Sequence, residues 1–165
     1  MRRVAAVKNG NTLNNSQFAM NIEISRGLDR FLFGMTEQDL ATVLGPPDKI
    51  IVTDFDNRDL CYYNLQVVFK IEPTNDSRLG WLSVYDPVTT MGDLSPWKMP
   101  KDELLATLNA ALGEPFEIND YGEMESYYFP EHKVELQYRL GRLDAFNFGV
   151  PYGDDDQPIW PPLHH

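Results

Sequence analysis

The chain has 165 residues, with 25 acidic side chains against 14 Lys and Arg, a formal net charge of −11, 42% hydrophobic residues and one cysteine. This length suits one domain or two small ones, with a core that hides roughly 70% of the unfolded surface. The lone Cys61 excludes an internal disulfide and suits a reducing compartment. The charge is uneven: residues 1–30 hold five basic side chains against Glu23 and Asp29, leaving nine basic and twenty-three acidic from 31 to 165. The resulting field of about −14 repels nucleic acid and anionic membrane and steers basic protein surfaces inward.

After Met1-Arg2-Arg3 the apolar stretch Val4-Ala5-Ala6-Val7 is too short for the core of a signal peptide, and no later stretch reaches the length of a bilayer span. A cytoplasmic protein is expected. Residues 1–16 are rich in Asn and poor in apolar side chains, which predicts disorder. Phe18, Met20, Ile22 and Ile24 then alternate like an added strand that leads through Gly27 into a first unit, residues 17–86.

That unit opens with Phe33-Gly34-Met35-Thr36 and a short helix. Thr36 and Asp39 have capping-box spacing, Leu40, Val43 and Leu44 share a face, and Gly45-Pro46-Pro47 stops the helix. Strand signals follow at 49–53, 60–63, 66–71 and 79–85. Residues 87–98, with Pro87, Gly92 and Pro96, read as a linker and helix entry. A second unit, 99–149, repeats the order with a helix ending at Leu112-Gly113 and strands at 116–119, 126–129, 133–138 and 143–148. Tyr62-Tyr63 matches Tyr127-Tyr128, and Arg78-Leu79 matches Arg142-Leu143. Val134, Leu136 and Tyr138 alternate with Glu135, Gln137 and Arg139, so one sheet face should lie under a helix and the other stay free. The expected fold is α+β: two tandem units, each a helix plus a four-stranded antiparallel sheet, side by side with a concave free face. Residues 150–165 form an extended tail carrying Asp154-Asp155-Asp156 and a Pro-rich end, where His164 and His165 have the look of tag residues.

Phe33-Gly34-Met35-Thr36, the helix and Leu44-Gly45-Pro46-Pro47 resemble the opening of a small α/β unit found in β-lactamase inhibitory protein and in the small lipoprotein of outer-membrane barrel assembly. In the inhibitor two such units stand in tandem, so the resemblance implies a concave sheet that grips another protein. This chain has neither the inhibitor's disulfides nor the lipoprotein's acylated cysteine. Bacterial immunity proteins, which neutralise a partner toxin, are also small and acidic.

Signals for catalysis are weak. Of three histidines only His132 is internal, in the turn Pro130-Glu131-His132-Lys133, and no H-E-x-x-H, G-x-S-x-G, P-loop or dinucleotide fingerprint occurs. No ligand cluster predicts a metal or another cofactor, and Asp154–Asp156 lack the ligand order of an EF-hand. The informative positions join the first and second strand of each unit: Asp54, Phe55, Asp56 and Asp59 in one loop, and Asp120, Tyr121, Glu123 and Glu125 in the other. Each loop sets an aromatic among carboxylates on a hairpin, as an interface anchor or as a ring folded back on its own sheet. The expected function is a non-enzymic inhibitor of the immunity type that occludes the active site of a basic toxin, a nuclease in the first instance. An acidic secretion chaperone for an effector is the alternative, followed by a small-molecule enzyme.

Overall fold

The computed structural model describes residues 7–8, 11–12 and 19–163. The disorder expected for residues 1–16, the Phe18 end of the added strand, and His164 with His165 fall largely outside these. Within them, Val7–Lys8 (β1) pairs antiparallel with Asn11–Thr12 (β2). The added strand is short: Ile22–Glu23 (β3) joins Gly27–Leu28 (β4) and Phe31–Leu32 (β5) in a three-stranded sheet.

Helix α1 (Glu37–Leu44) begins where the sequence places it, because Thr36 and Asp39 close a capping box: Asp39 N–H donates to Thr36 Oγ1 at 3.1 Å and Thr36 N–H to Asp39 Oδ2 at 3.0 Å. Strands β6 (Lys49–Val52), β7 (Arg58–Tyr62), β8 (Val67–Glu72) and β9 (Arg78–Val84) follow. Helix α2 (Lys101–Leu112) ends at Gly113, whose φ of 63° is the left-handed cap that glycine adopts without strain. It is followed by β10 (Glu117–Asp120), β11 (Met124–Phe129), β12 (Val134–Arg139) and β13 (Arg142–Gly149).

The architecture is mixed α+β. All eight of these strands form one antiparallel sheet in the order β10-β11-β12-β13-β9-β8-β7-β6, so the two groups of four are joined rather than separate. The joint pairs Phe146 with Val84, Asn147 with Ser83, Phe148 with Leu82 and Gly149 with Trp81. Only glycine fits at 149, because a Cβ there would run into the Trp81 ring and come within 2.9 Å of Gly80 O.

Alternation of burial along β8 and β12 puts Val67, Phe69, Ile71, Val134, Leu136 and Tyr138 in the core. Against them α1 buries Leu40 and α2 buries Leu104, Leu105 and Leu108. Phe33, Phe146 and Phe148 meet edge to face at the joint, at centroid distances of 5.5 Å and 6.0 Å. Each helix is also tied to the sheet by charge: Arg58 donates two bonds to Glu37 at 2.9 and 3.0 Å, and Lys101 Nζ lies 3.1 Å from Glu125 Oε1.

The segment read as a linker is bonded into the fold. Thr89 is buried, Ile22 N–H donates to Thr90 O at 2.8 Å and Thr90 N–H to Met20 O at 2.9 Å. The tail is extended but packed: Val150 is buried and donates to Gly80 O at 3.0 Å, Tyr152 OH accepts from Asn75 Nδ2 at 2.7 Å, and Trp160, like Trp97, packs on the core.

Among the described residues two buried side-chain oxygens lack a hydrogen-bond partner, Asp59 Oδ1 and the Tyr138 hydroxyl. Burial pushes the Tyr138 pKa up to about 12. Removing an unpaired buried hydroxyl removes its desolvation penalty, so Tyr138→Phe should stabilise the protein by about 1 kcal/mol. Urea unfolding monitored by circular dichroism measures this, and a loss of stability would show that the hydroxyl is bonded.

Candidate functional site

The hairpin from β6 to β7 is closed by Thr53 N–H donating to Asn57 O at 2.8 Å. Asp54–Asp56 make one 3-10 turn between them. Within that turn Phe55 has φ 65° and ψ 19°, a left-handed conformation that disfavours bulky side chains. Its ring is 85% exposed. Asp54 and Asp56 flank it, both exposed. The ring is therefore not folded back on the sheet, and the turn holds it in solvent against its own backbone preference.

The second hairpin, β10 to β11, is closed by Tyr121 N–H donating to Met124 O at 2.8 Å, with Gly122 N–H on Asp120 Oδ1 at 2.8 Å. Tyr121 is 67% exposed and Glu123 is exposed at its side. Three of the eight candidate residues stand in strands, among them Asp120, which ends β10 opposite Glu125. Asp59 stands in β7 with its side chain 19% exposed, 3.8 Å from Lys70 Nζ. Glu125 stands in β11 and is held by Lys101 and by the Tyr127 hydroxyl at 2.8 Å.

The sheet order sets the relation between the hairpins. They lie at opposite edges, roughly 30 Å apart at the usual strand spacing. Five antiparallel steps separate β7 from β11, so the two strands run in opposite directions and the two tips point to opposite ends of the sheet. A partner that touches both must span the sheet diagonally.

Between them runs the face turned away from the core. Registered pairs carry it from Cys61 through Val68, Ser83 and Asn147 to Glu135 and Tyr128. At one end of this face is a largely apolar hollow of about 580 Å³, lined by Cys61, Tyr63, Gln66, Val68 and Tyr85. Burial and then the neighbouring Asp59 push the Cys61 thiol up, which disfavours the nucleophilic thiolate. Burial followed by Asp144 likewise raises Tyr85. Among the described residues no group of three or more His, Cys, Asp and Glu is placed to hold a metal ion, and no helix is long and apolar enough to cross a membrane.

His132 does sit in a turn, with a structural partner. The buried Glu114 carboxylate accepts from Glu131 N–H at 2.6 Å and His132 N–H at 3.2 Å, and lies 2.8 Å from His132 Nδ1. Burial raises the Glu114 pKa, but these bonds and the His132 ring outweigh it and the net shift is downward. A lowered folded value means the contribution to stability is fully present above the ordinary 4.5 and is lost as pH falls through the folded pKa. Glu114→Gln should therefore cost about 1–3 kcal/mol at neutral pH, with the difference from wild type shrinking toward pH 3. Thermal melts of both proteins across that range test it.

The residues that sequence reasoning missed are Ile50, Ile51 and Val52, exposed by 40%, 41% and 58%, and the pair Tyr63 and Tyr85, exposed by 54% and 40%. The run at 49–52 was legible as a strand, but nothing local marks it as the last strand of the sheet.

No family model matches the sequence, and no curated protein matches it. Among solved structures the chain is similar to an extracellular protein containing an SCP domain from Bacillus anthracis str. Ames, at 12% identity and a TM-score of 0.46 over 87% of this chain. The chain spans about half of that protein, 50% of its length. A likeness at this level carries no argument about function.

Proposed function

We propose that the protein is a non-enzymic, cytoplasmic inhibitor of the bacterial immunity type, which neutralises a basic toxin, a nuclease in the first instance, by covering its active site. The observation that carries this reading is Phe55, a large ring held 85% exposed in a left-handed turn between Asp54 and Asp56. An exposed phenylalanine in that backbone region disfavours the free protein by about 1–2 kcal/mol and gains nothing from the fold. Burial against a partner would return the energy, and an aromatic ringed by charge suits an interface anchor. The acidic surround suits a basic target, and it steers association.

The finer architecture belongs to the same proposal. The strand order reads outward from the joint as β9-β8-β7-β6 on one side and β13-β12-β11-β10 on the other, each group preceded by one helix. This supports two copies of one unit side by side, with the free face between the hairpins, curved concavely, as the surface laid on the toxin.

The experiment is capture on immobilised wild-type protein and on a Phe55→Gly, Asp54→Lys, Asp56→Lys variant, followed by an activity assay of whatever only the wild type retains. A basic enzyme retained by the wild type alone and inhibited one to one is the expected result. Identical captures by both proteins, or a retained enzyme left fully active, would sink the proposal.

A further inference from the structure

The two edges of the eight-stranded sheet are built differently. At one edge, β10 carries Glu117, Asn119 and Asp120 around a single aliphatic, Ile118, the polar and charged composition that keeps an open edge from pairing. At the other, β6 reads Lys49-Ile50-Ile51-Val52, all exposed and with three consecutive branched aliphatics in solvent. Its inner side is paired to β7, and the pattern of that pairing shows which backbone groups face out. Thr53 bonds Asn57, so in the alternating antiparallel ladder Ile51–Asp59 and Lys49–Cys61 are the bonded pairs, while Ile50–Leu60 and Val52–Arg58 are not. The N–H and C=O of Ile50 and Val52 therefore point away from the sheet.

Resting on the inhibitor reading, we infer that β6 is where the partner docks, by adding an extended basic segment as a ninth strand. Main-chain bonds to Ile50 and Val52 would set its register, its apolar side chains would cover Ile50 and Val52, which share one face, and Phe55 would close over its end. Charge selects this occupant. Asp48 precedes the strand, and Asp54 and Asp56 follow it, all exposed, so both ends of the docking edge are anionic; of the nearby cations, Arg58 beside Val52 is engaged by Glu37, which leaves Lys49 to oppose them. A second copy of the chain is disfavoured by the same groups: antiparallel self-pairing sets Asp48 of one copy near Asp54 and Asp56 of the other, and parallel self-pairing aligns like with like. A segment alternating apolar and basic residues sets its apolar row beside Ile50 and Val52 and leaves its basic row for the flanking acids.

The probe is a capped peptide of alternating valine and lysine, with the valine and glutamate version as control, titrated into isotope-labelled full-length protein. The expected result is binding of the basic peptide only, with slowed amide exchange at Ile50 and Val52. Val52→Pro removes one outward donor without touching the ladder to β7, and should weaken binding at least tenfold. Ile118→Pro on the opposite edge should leave it unchanged. Should Val52→Pro unfold the protein, a peptide N-methylated at alternate positions makes the same measurement from the other side, with the same tenfold loss expected.

No binding up to about 1 mM, shifts confined to the Cys61, Tyr63 and Tyr85 hollow, or indifference to both Val52→Pro and N-methylation would overturn the inference. So would a concentration-dependent dimer abolished by Val52→Pro, which would assign the edge to a second copy. These outcomes leave the inhibitor reading standing, because that reading falls on other results: captures indifferent to the Phe55 variant, or a retained enzyme left fully active.

Discussion

Phe148→Ala is expected to lower stability by about 3–5 kcal/mol, the range for deleting a buried aromatic. Phe148 is fully buried, lies in β13 opposite both Val134 and Leu82, and meets the rings of Phe33 and Phe146. It therefore touches both groups of four strands at their joint, and the cavity left by its loss cannot be filled from one side alone. Against a total stability of about 5–15 kcal/mol, the loss would leave a substantial unfolded fraction at 37 °C. Denaturant unfolding with an unchanged slope and a lower midpoint is the expected record. A change below 1 kcal/mol would show that the sheet is not joined there. Tyr121→Ala, at an exposed tip, should stay within about 0.5 kcal/mol of wild type.

Phe55→Gly is expected to move stability and binding in opposite directions. Glycine adopts the left-handed conformation of residue 55 freely, which relieves about 1–2 kcal/mol of strain, less about 0.4–1 kcal/mol for the added freedom of the unfolded chain. The melting temperature should rise slightly. Affinity for the retained toxin should fall by about 2 kcal/mol, close to thirtyfold, mainly through faster dissociation. Lysine at Asp54 and Asp56 should instead slow association and reduce its salt sensitivity. Asp59→Lys is a poor probe of the interface, because it would set a second cation beside Lys70 within the sheet. Kinetic binding measurements beside thermal melts separate the two effects. If Phe55→Gly lowers stability, the ring is packed in solution and is not an anchor.

Most elements were legible because their signals are local. Thr36 and Asp39 close a capping box wherever a helix starts, Gly113 ends one by its left-handed φ, and Val134, Leu136 and Tyr138 alternate because a strand has a period of two. The hairpin tips were legible for the same reason, as was the choice of Phe55 and Tyr121 as their aromatics. The fate of each ring was not, since it depends on whether a neighbouring surface exists to receive it. Asp59 and Glu125 look in sequence like their loop neighbours, but they belong to strands and are engaged by Lys70 and by Lys101, residues brought to them only by folding.

What the sequence alone determined, then, was the order helix, four strands, helix, four strands, the inward row of β12, and the acidic aromatic turns. What tertiary structure decided was which strands meet. Pairing β9 with β13 makes one sheet of eight, sends β6 and β10 to its edges, and turns the two hairpins to opposite ends. The physical reason is that a strand's free energy of pairing lies in partners far away in the chain. The aliphatic run Ile50-Ile51-Val52 reads the same whether it is buried at the centre of a sheet or left open at its edge.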